Sequence, residues 1–222
     1  MLRFFDPNEL ASITYGNLPH WFQSGCVVFS TFRLHDSVPG AVMRRYQADR
    51  LRWLQLETRR PDVRSIDVLL GALTPDQRRA FDRHFAAVFN GLLDRGYGEC
   101  QLRDPAVARI VADRIAHFDG ERYELADFVV MPNHVHVLMG LIGEHDAPTI
   151  CESWKRFAAT EINRHLGRSG RLWQPEAWDH LVRGGDRFDG YRRYIHRNPE
   201  VAGLREGEYL LGCGNAFAHP LP

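Results

Sequence analysis

At 222 residues, with 44% hydrophobic and 25% charged residues, the chain is long enough for one domain with a sizeable core, or one domain with a large insertion. Its 28 Lys and Arg balance its 28 Asp and Glu, which excludes a general polycation that coats nucleic acid. There is no run of roughly 18 apolar residues and the chain opens MLRFFDPNEL, without a charged-then-apolar leader, so a soluble cytoplasmic protein with no membrane partner is expected.

Cys26, Cys100, Cys151 and Cys213 are far apart and form no CxxC pair, so reduced thiols are expected rather than a disulfide framework or a cysteine zinc site. Residues 1–22 mix Pro, Asn and Gly with isolated aromatics, show no sustained period, and read as an N-terminal arm or loop. Gly25 to Arg33, GCVVFSTFR, reads as a strand whose continuous apolar start suggests a central position in a sheet. Val38 to Leu56 and Thr74 to Arg95 read as helices, broken at Arg59-Arg60-Pro61-Asp62, and together form a helical insertion over residues 36–96. Asp104-Pro105 caps a helix through about His117, with Val107, Ile110, Val111 and Ile115 on one face, and Asp119-Gly120 closes it.

The most informative run follows. Tyr123 to Val130 is rich in aromatic and β-branched residues, Pro132-Asn133 is a turn signal, and His134-Val135-His136-Val137-Leu138-Met139 reads as the returning strand of a hairpin. In a strand alternate side chains share a face, so His134 and His136 point one way and Val135, Val137 and Met139 the other. Two imidazoles about 7 Å apart at the backbone can converge on one cation, although an HxH strand by itself is more often two polar residues on a solvated face.

Thr149 to Leu166 reads as an amphipathic helix with Ile150, Trp154, Phe157, Ala158, Ile162 and Leu166 at helical spacing and Lys155, Arg156 and Arg164 on a basic side. Arg171-Leu172-Trp173 reads as a short strand. In the helix over 184–199, Phe188, Tyr191 and Ile195 form a core face, Tyr194 falls at its margin, and Asn198 lies one turn beyond Tyr194 on the same side. Pro199 disfavours helix at Asn198, so the helix is expected to end there, with a phenol and an amide side by side. Taken alone, Tyr194 would be a half-buried core tyrosine, Tyr191 being the better candidate for that role, and Asn198 a helix cap. His196 points away from Tyr194 and is not expected to be a base. From Thr149 to Arg205 there are 11 Lys and Arg against 7 Asp and Glu, a local basic excess that can bind phosphates in a neutral chain.

The run MPNHVHVLM, the later WQPEAWDHLVR, and YIHRNPEVAGL, in that order, resemble the REP-associated tyrosine transposases, relatives of the single-tyrosine insertion-sequence transposases in the HUH endonuclease superfamily. The resemblance runs from about Gly25 to Gly207, and Glu200 departs from it where the family more often has an apolar residue. It implies a ferredoxin-like α+β core with the histidines on a central strand of an antiparallel sheet. It also implies Tyr194 as the nucleophile, and Asn198 joining His134 and His136 at a divalent metal. The substrate implied is single-stranded DNA beside short palindromic hairpins, cleaved and rejoined through a 5′-phosphotyrosine.

Imidazole suits transition metals, whereas an amide oxygen and phosphate suit Mg or Mn, which are the expected ions. Lys155, Arg156, Arg183, Arg193 and Arg197 are the candidate DNA contacts. Glu176, Asp179, His180 and Arg183 could shape the site or hold a guide strand, with a surface ion-pair cluster as the other reading. The order strand, helix, hairpin, helix, short strand suggests an α+β sandwich with helices against one face of an antiparallel sheet, and a monomer is slightly favoured over an oligomer. The competing functions are a non-catalytic nucleic-acid-binding protein on the same fold and a metal-dependent DNA hydrolase in which Tyr194 is structural.

Overall fold

A computed structural model describes residues 3–15 and 19–214 and divides into two compact units, Asp36–Gly98 and the remainder of the chain. The larger unit opens with a small hairpin, β1 (Ser12–Tyr15) and β2 (Pro19–Phe22), where an arm or loop was expected. Four strands then build the main sheet: β3 (Val27–Arg33), β4 (Tyr123–Val130), β5 (His134–Leu141) and β6 (Trp178–Leu181). The helices of this unit are α4 (Pro105–Ala116), α5 (Ala147–His165) and α6 (Gly185–Val201), and a last strand, β7 (Leu210–Cys213), closes it.

The sheet is antiparallel in the order β6-β3-β5-β4-β7. With the helices between them, its first four strands run β3-α4-β4-β5-α5-β6, the β-α-β-β-α-β order of a ferredoxin-like core. β5, which carries both histidines, is the middle strand. Every one of its residues is buried, because helices cover both faces of the sheet rather than the one expected. Val28, Phe32, Val135, Val137 and Met139 pack with Val111, Ile115, Trp154 and Ile162 of α4 and α5. Val27, Phe29, Val129 and Leu138 pack with Phe188 and Ile195 of α6. The period-2 alternation of β5 therefore separates an apolar side under α4 and α5 from a histidine side under α6.

Local sequence sets the helix starts. Pro105 follows the N-cap Asp104, whose side chain accepts from the Ala106 N–H, and Asp146 caps α5, which starts at Ala147, two residues before the expected Thr149. The helix bearing Tyr194 does not stop at Asn198. It runs to Val201 with Pro199 inside, because proline removes one N–H while Ala202 still donates to the Asn198 carbonyl, and Asn198 and Pro199 are themselves buried. The short strand expected over Arg171–Trp173 is reduced to a single bridge between Trp173 and Leu34; the edge strand is β6, five residues on.

One irregularity in β4 matters more than its size suggests. The pairing with β5 shifts between Leu125 and Phe128, so Ala126 and Asp127 together oppose Leu138. Without that extra residue Asp127 would alternate onto the α4 and α5 side. The bulge instead turns it towards α6, where it is 1% exposed and its carboxylate accepts from Arg192 Nε at 2.6 Å and meets His196 Nε2 at 2.8 Å. The sequence reading had not singled out Asp127 or Arg192.

The smaller unit holds α1 (Gly40–Thr58), α2 (Ile66–Gly71) and α3 (Pro75–Leu93) around Leu54, Leu69, Phe81 and Phe85. Thr74 and Gln77 form a capping box at the start of α3. The four cysteines are free, and among the described residues no helix is long and apolar enough to cross a membrane.

Removing one partner of a buried ion pair leaves the other charge stranded. The Asp127→Asn variant should therefore lose about 3–5 kcal/mol of unfolding free energy, read as a shift of the urea midpoint at unchanged slope.

Candidate active site

Directly opposed residues of antiparallel strands share a face. Thr31 of β3 is opposite His136 of β5 on one side and Trp178 of β6 on the other, so these three form one row across the sheet. In the neighbouring rows Arg33 is opposite His134, and Phe29 is opposite His180. The end of β3 thus reaches the histidine surface, and Arg33 stands beside the histidines although it was not among the candidate DNA contacts.

Both imidazoles are buried, with ring centroids 4.8 Å apart. A neighbour orients each. His134 Nδ1 is 2.8 Å from Asn133 Oδ1, and since an amide oxygen only accepts, Nδ1 carries the proton and Nε2 keeps a bare lone pair. That Nε2 is buried with no hydrogen-bond partner. His136 Nδ1 is 2.7 Å from Thr31 Oγ1, and its Nε2 is 3.3 Å from the Tyr194 hydroxyl. With Thr31 Oγ1 accepting the Nδ1 proton, His136 Nε2 also turns its lone pair to the site.

Burial keeps both rings neutral. Desolvation pulls His134 down to about 3, with the Arg33 guanidinium adding to the effect, and it pulls His136 well below the ordinary histidine value, with His134 adding there. Neutral imidazole is the form that binds a metal.

Helix α6 supplies the remaining groups. Tyr194 packs edge-on against His136 at 5.2 Å and Phe29 at 6.0 Å, while Tyr191 stacks on Phe29 at 4.3 Å as the core tyrosine. Asn198, one turn beyond Tyr194, is buried, and its Oδ1 has no hydrogen-bond partner. Two imidazole lone pairs and an amide oxygen, all neutral acceptors, fit a divalent cation, since buried acceptors without a donor are costly. Among the described residues no cluster of three or more His, Cys, Asp and Glu gathers as an alternative metal centre.

The other expected residues divide. Arg193 and Arg197 are exposed on α6, Arg183 is exposed after β6 with its guanidinium over Phe5, and Arg156 is exposed over Phe157. Lys155 is not on an exposed basic side: it is 7% exposed, and its Nζ donates to the Gln174 and Pro175 carbonyls. Its position among Cys151, Trp154 and Ala158 on α5 carried that signal, since all four belong to the buried side. Asp179 is opposite Ser30 and turns to the α5 side, where it meets His20, away from Tyr194. His196 does point away from Tyr194, to Asp127.

The two depressed histidines set a pH dependence with a definite sign. Below the unfolded value of about 6.5 the unfolded chain takes up protons that the folded site refuses, so stability is highest above that pH and falls on acidification. Chelator-treated protein should lose up to ~1.4 kcal/mol per pH unit for each imidazole, measured by urea unfolding between neutral pH and the acid range. The double variant His134→Asn, His136→Asn should lack this part of the slope.

No family model matches the chain. Over 94 residues it is 27% identical to a curated Haemophilus influenzae protein named a REP-associated tyrosine transposase; the match takes in 38% of this chain and 53%, about half, of the relative's length. A solved structure of the REP-associated tyrosine transposase bound to a REP hairpin aligns with 83% of this chain and 73% of its own, at 17% identity and a TM-score of 0.44. The curated relative carries the name of the family that the three sequence motifs resemble.

Proposed function

We propose that the chain cleaves and rejoins single-stranded DNA beside hairpin repeats, with Tyr194 as the nucleophile. The observation that carries this reading is the Tyr194 hydroxyl 3.3 Å from His136 Nε2, in a site where His134 Nε2 and Asn198 Oδ1 are buried acceptors without partners. The name of the curated relative supports the same reaction class.

In the proposed step the Tyr194 oxygen attacks a backbone phosphorus and the bond from phosphorus to the 3′ oxygen breaks. The 3′ oxygen leaves and takes up a proton as a hydroxyl, while the 5′-phosphate stays on Tyr194. The covalent link keeps the phosphodiester energy, so the 3′-hydroxyl of another strand can reverse the step and join DNA without ATP. A free phenol has a pKa near 10 and is about one part in a thousand ionised at pH 7, so the nucleophile needs activation. Mg or Mn held by His134, His136 and Asn198 would polarise the phosphate and neutralise the charge that develops on it. Arg33, opposite His134, adds a fixed positive charge on the same face. Thr31 and Asn133 take up the two Nδ1 atoms, which leaves both Nε2 atoms for the site, that of His136 beside the Tyr194 hydroxyl.

Labelled single-stranded DNA with a hairpin, incubated with Mn or Mg, should yield a covalent protein–DNA band on a denaturing gel, and Tyr194→Phe should abolish it. Cleavage that persists in Tyr194→Phe would instead assign the chemistry to water. In a separate titration, His134→Ala and Asn198→Ala should each weaken Mn binding by more than the about 10- to 100-fold that losing an orienting outer-shell partner costs, read by calorimetry without DNA.

A further inference from the structure

On the Tyr194 side of the sheet an aromatic surface continues past the reacting groups to the edge. Trp178 of β6 occupies the same cross-strand row as His136, two strands away, which at the usual strand spacing is roughly 10 Å. The residue is 38% exposed, an unusual state for a tryptophan on an otherwise covered face. The Trp178 and His180 rings lie almost parallel, with centroids 5.8 Å apart and an interplanar angle of 9°. Phe29 joins this pair to the site, since it touches Trp178 at 6.2 Å and Tyr194 at 6.0 Å.

Charge follows the same edge. Arg183 and Arg187, both exposed, lie close enough to Tyr191 for their guanidiniums to favour its ionised form against the burial that raises its pKa. Tyr191 in turn lies 6.4 Å from His180. Flat rings beside exposed guanidiniums suit a single strand, whose bases have π-faces and whose backbone is anionic. A duplex keeps its bases stacked on one another and offers no free face to the shelf.

We propose that Trp178 and His180 form a stacking shelf for one unpaired nucleobase of the DNA strand, a nucleotide or two from the phosphate that Tyr194 attacks. Arg183 and Arg187 meet the backbone beside it. The inference rests on the function proposed above and adds a binding subsite to it: the shelf fixes the strand's position along β6, so the base it holds sets which phosphate reaches Tyr194.

The test separates binding from chemistry by working in full-length Tyr194→Phe protein. Fluorescence anisotropy at fixed salt would follow a labelled DNA hairpin with an unpaired flank, together with a series in which one flank base at a time is replaced by an abasic site. Adding Trp178→Ala should weaken binding about 5- to 150-fold, the equivalent of one stacked base. Trp178→Phe, which keeps an aromatic on the strand, should recover most of the loss. One abasic position should weaken the Tyr194→Phe protein alone yet add nothing in the Trp178→Ala background. Equal losses in both backgrounds at every position, or unchanged affinity in Trp178→Ala, would overturn the shelf. So would a change in oligomeric state by light scattering with DNA affinity intact, since Trp178 would then face a second copy. The covalent-band assay on the unaltered chain, with Trp178 and Tyr194 both intact, keeps the two proposals apart: a shelf that fails beside a persisting band leaves the nucleophile standing, and a stacking signal without any band does the reverse.

Discussion

A single buried carboxylate fixes the position of α6 on the sheet. Asp127 receives Arg192 and His196 from two successive turns of that helix, one bonded to each of its oxygens. Two anchor points on one anion constrain the rotation of the helix about its own axis as well as its distance from β4. Tyr194 lies between the two anchors in sequence and Asn198 two residues after the second, so their placement over β5 follows from the same clamp. The clamp exists because β4 carries one extra residue opposite Leu138, which turns Asp127 to the face where an anion has a partner.

The site is then a buried polar layer on the α6 side of a sheet whose other side packs largely apolar residues under α4 and α5. Burial would be a penalty for charged imidazoles, and it acts here to hold them neutral with their lone pairs available. Asn133 and Thr31 take up the Nδ1 atoms, so the acceptor atoms that remain are His134 Nε2, His136 Nε2 and Asn198 Oδ1. Arg33 offsets this acceptor-rich surface with positive charge, and its proximity is one cause of the depressed His134 value. Preorganisation of this kind comes from the register of three strands, with Asn133 of the β4–β5 turn fixing the His134 ring.

Much of this was legible before the fold was known, for identifiable reasons. The alternation of His134 and His136 with Val135 and Val137 sorts them to two faces whatever lies above, because the strand period is two. Capping by Asp104 and Thr74 is a local event, and both helices start there. The misses were non-local. Lys155 looks like a surface charge by type, yet its stem is buried and two carbonyls from the Gln174–Pro175 turn hold its ammonium. β7 reads poorly because Gly212 interrupts a short strand, and the reason for the glycine lies on another strand: a Cβ there would run into the Phe128 ring.

Sequence by itself determined the elements and the residue types that could do chemistry: a strand with two histidines on one face, a helix with Tyr194 and Asn198 on one side, and the order in which they come. Those features depend on periodicity and on neighbours a few residues away, which the chain carries wherever it folds. Only the tertiary structure decided that the Tyr194 hydroxyl meets His136, that Asp127 rather than a surface charge holds the helix, and that Trp178 shares a row with His136. Each of these joins residues far apart in the chain, and each turns on a strand register or a bulge, where a shift of one residue would send the side chain to the opposite face.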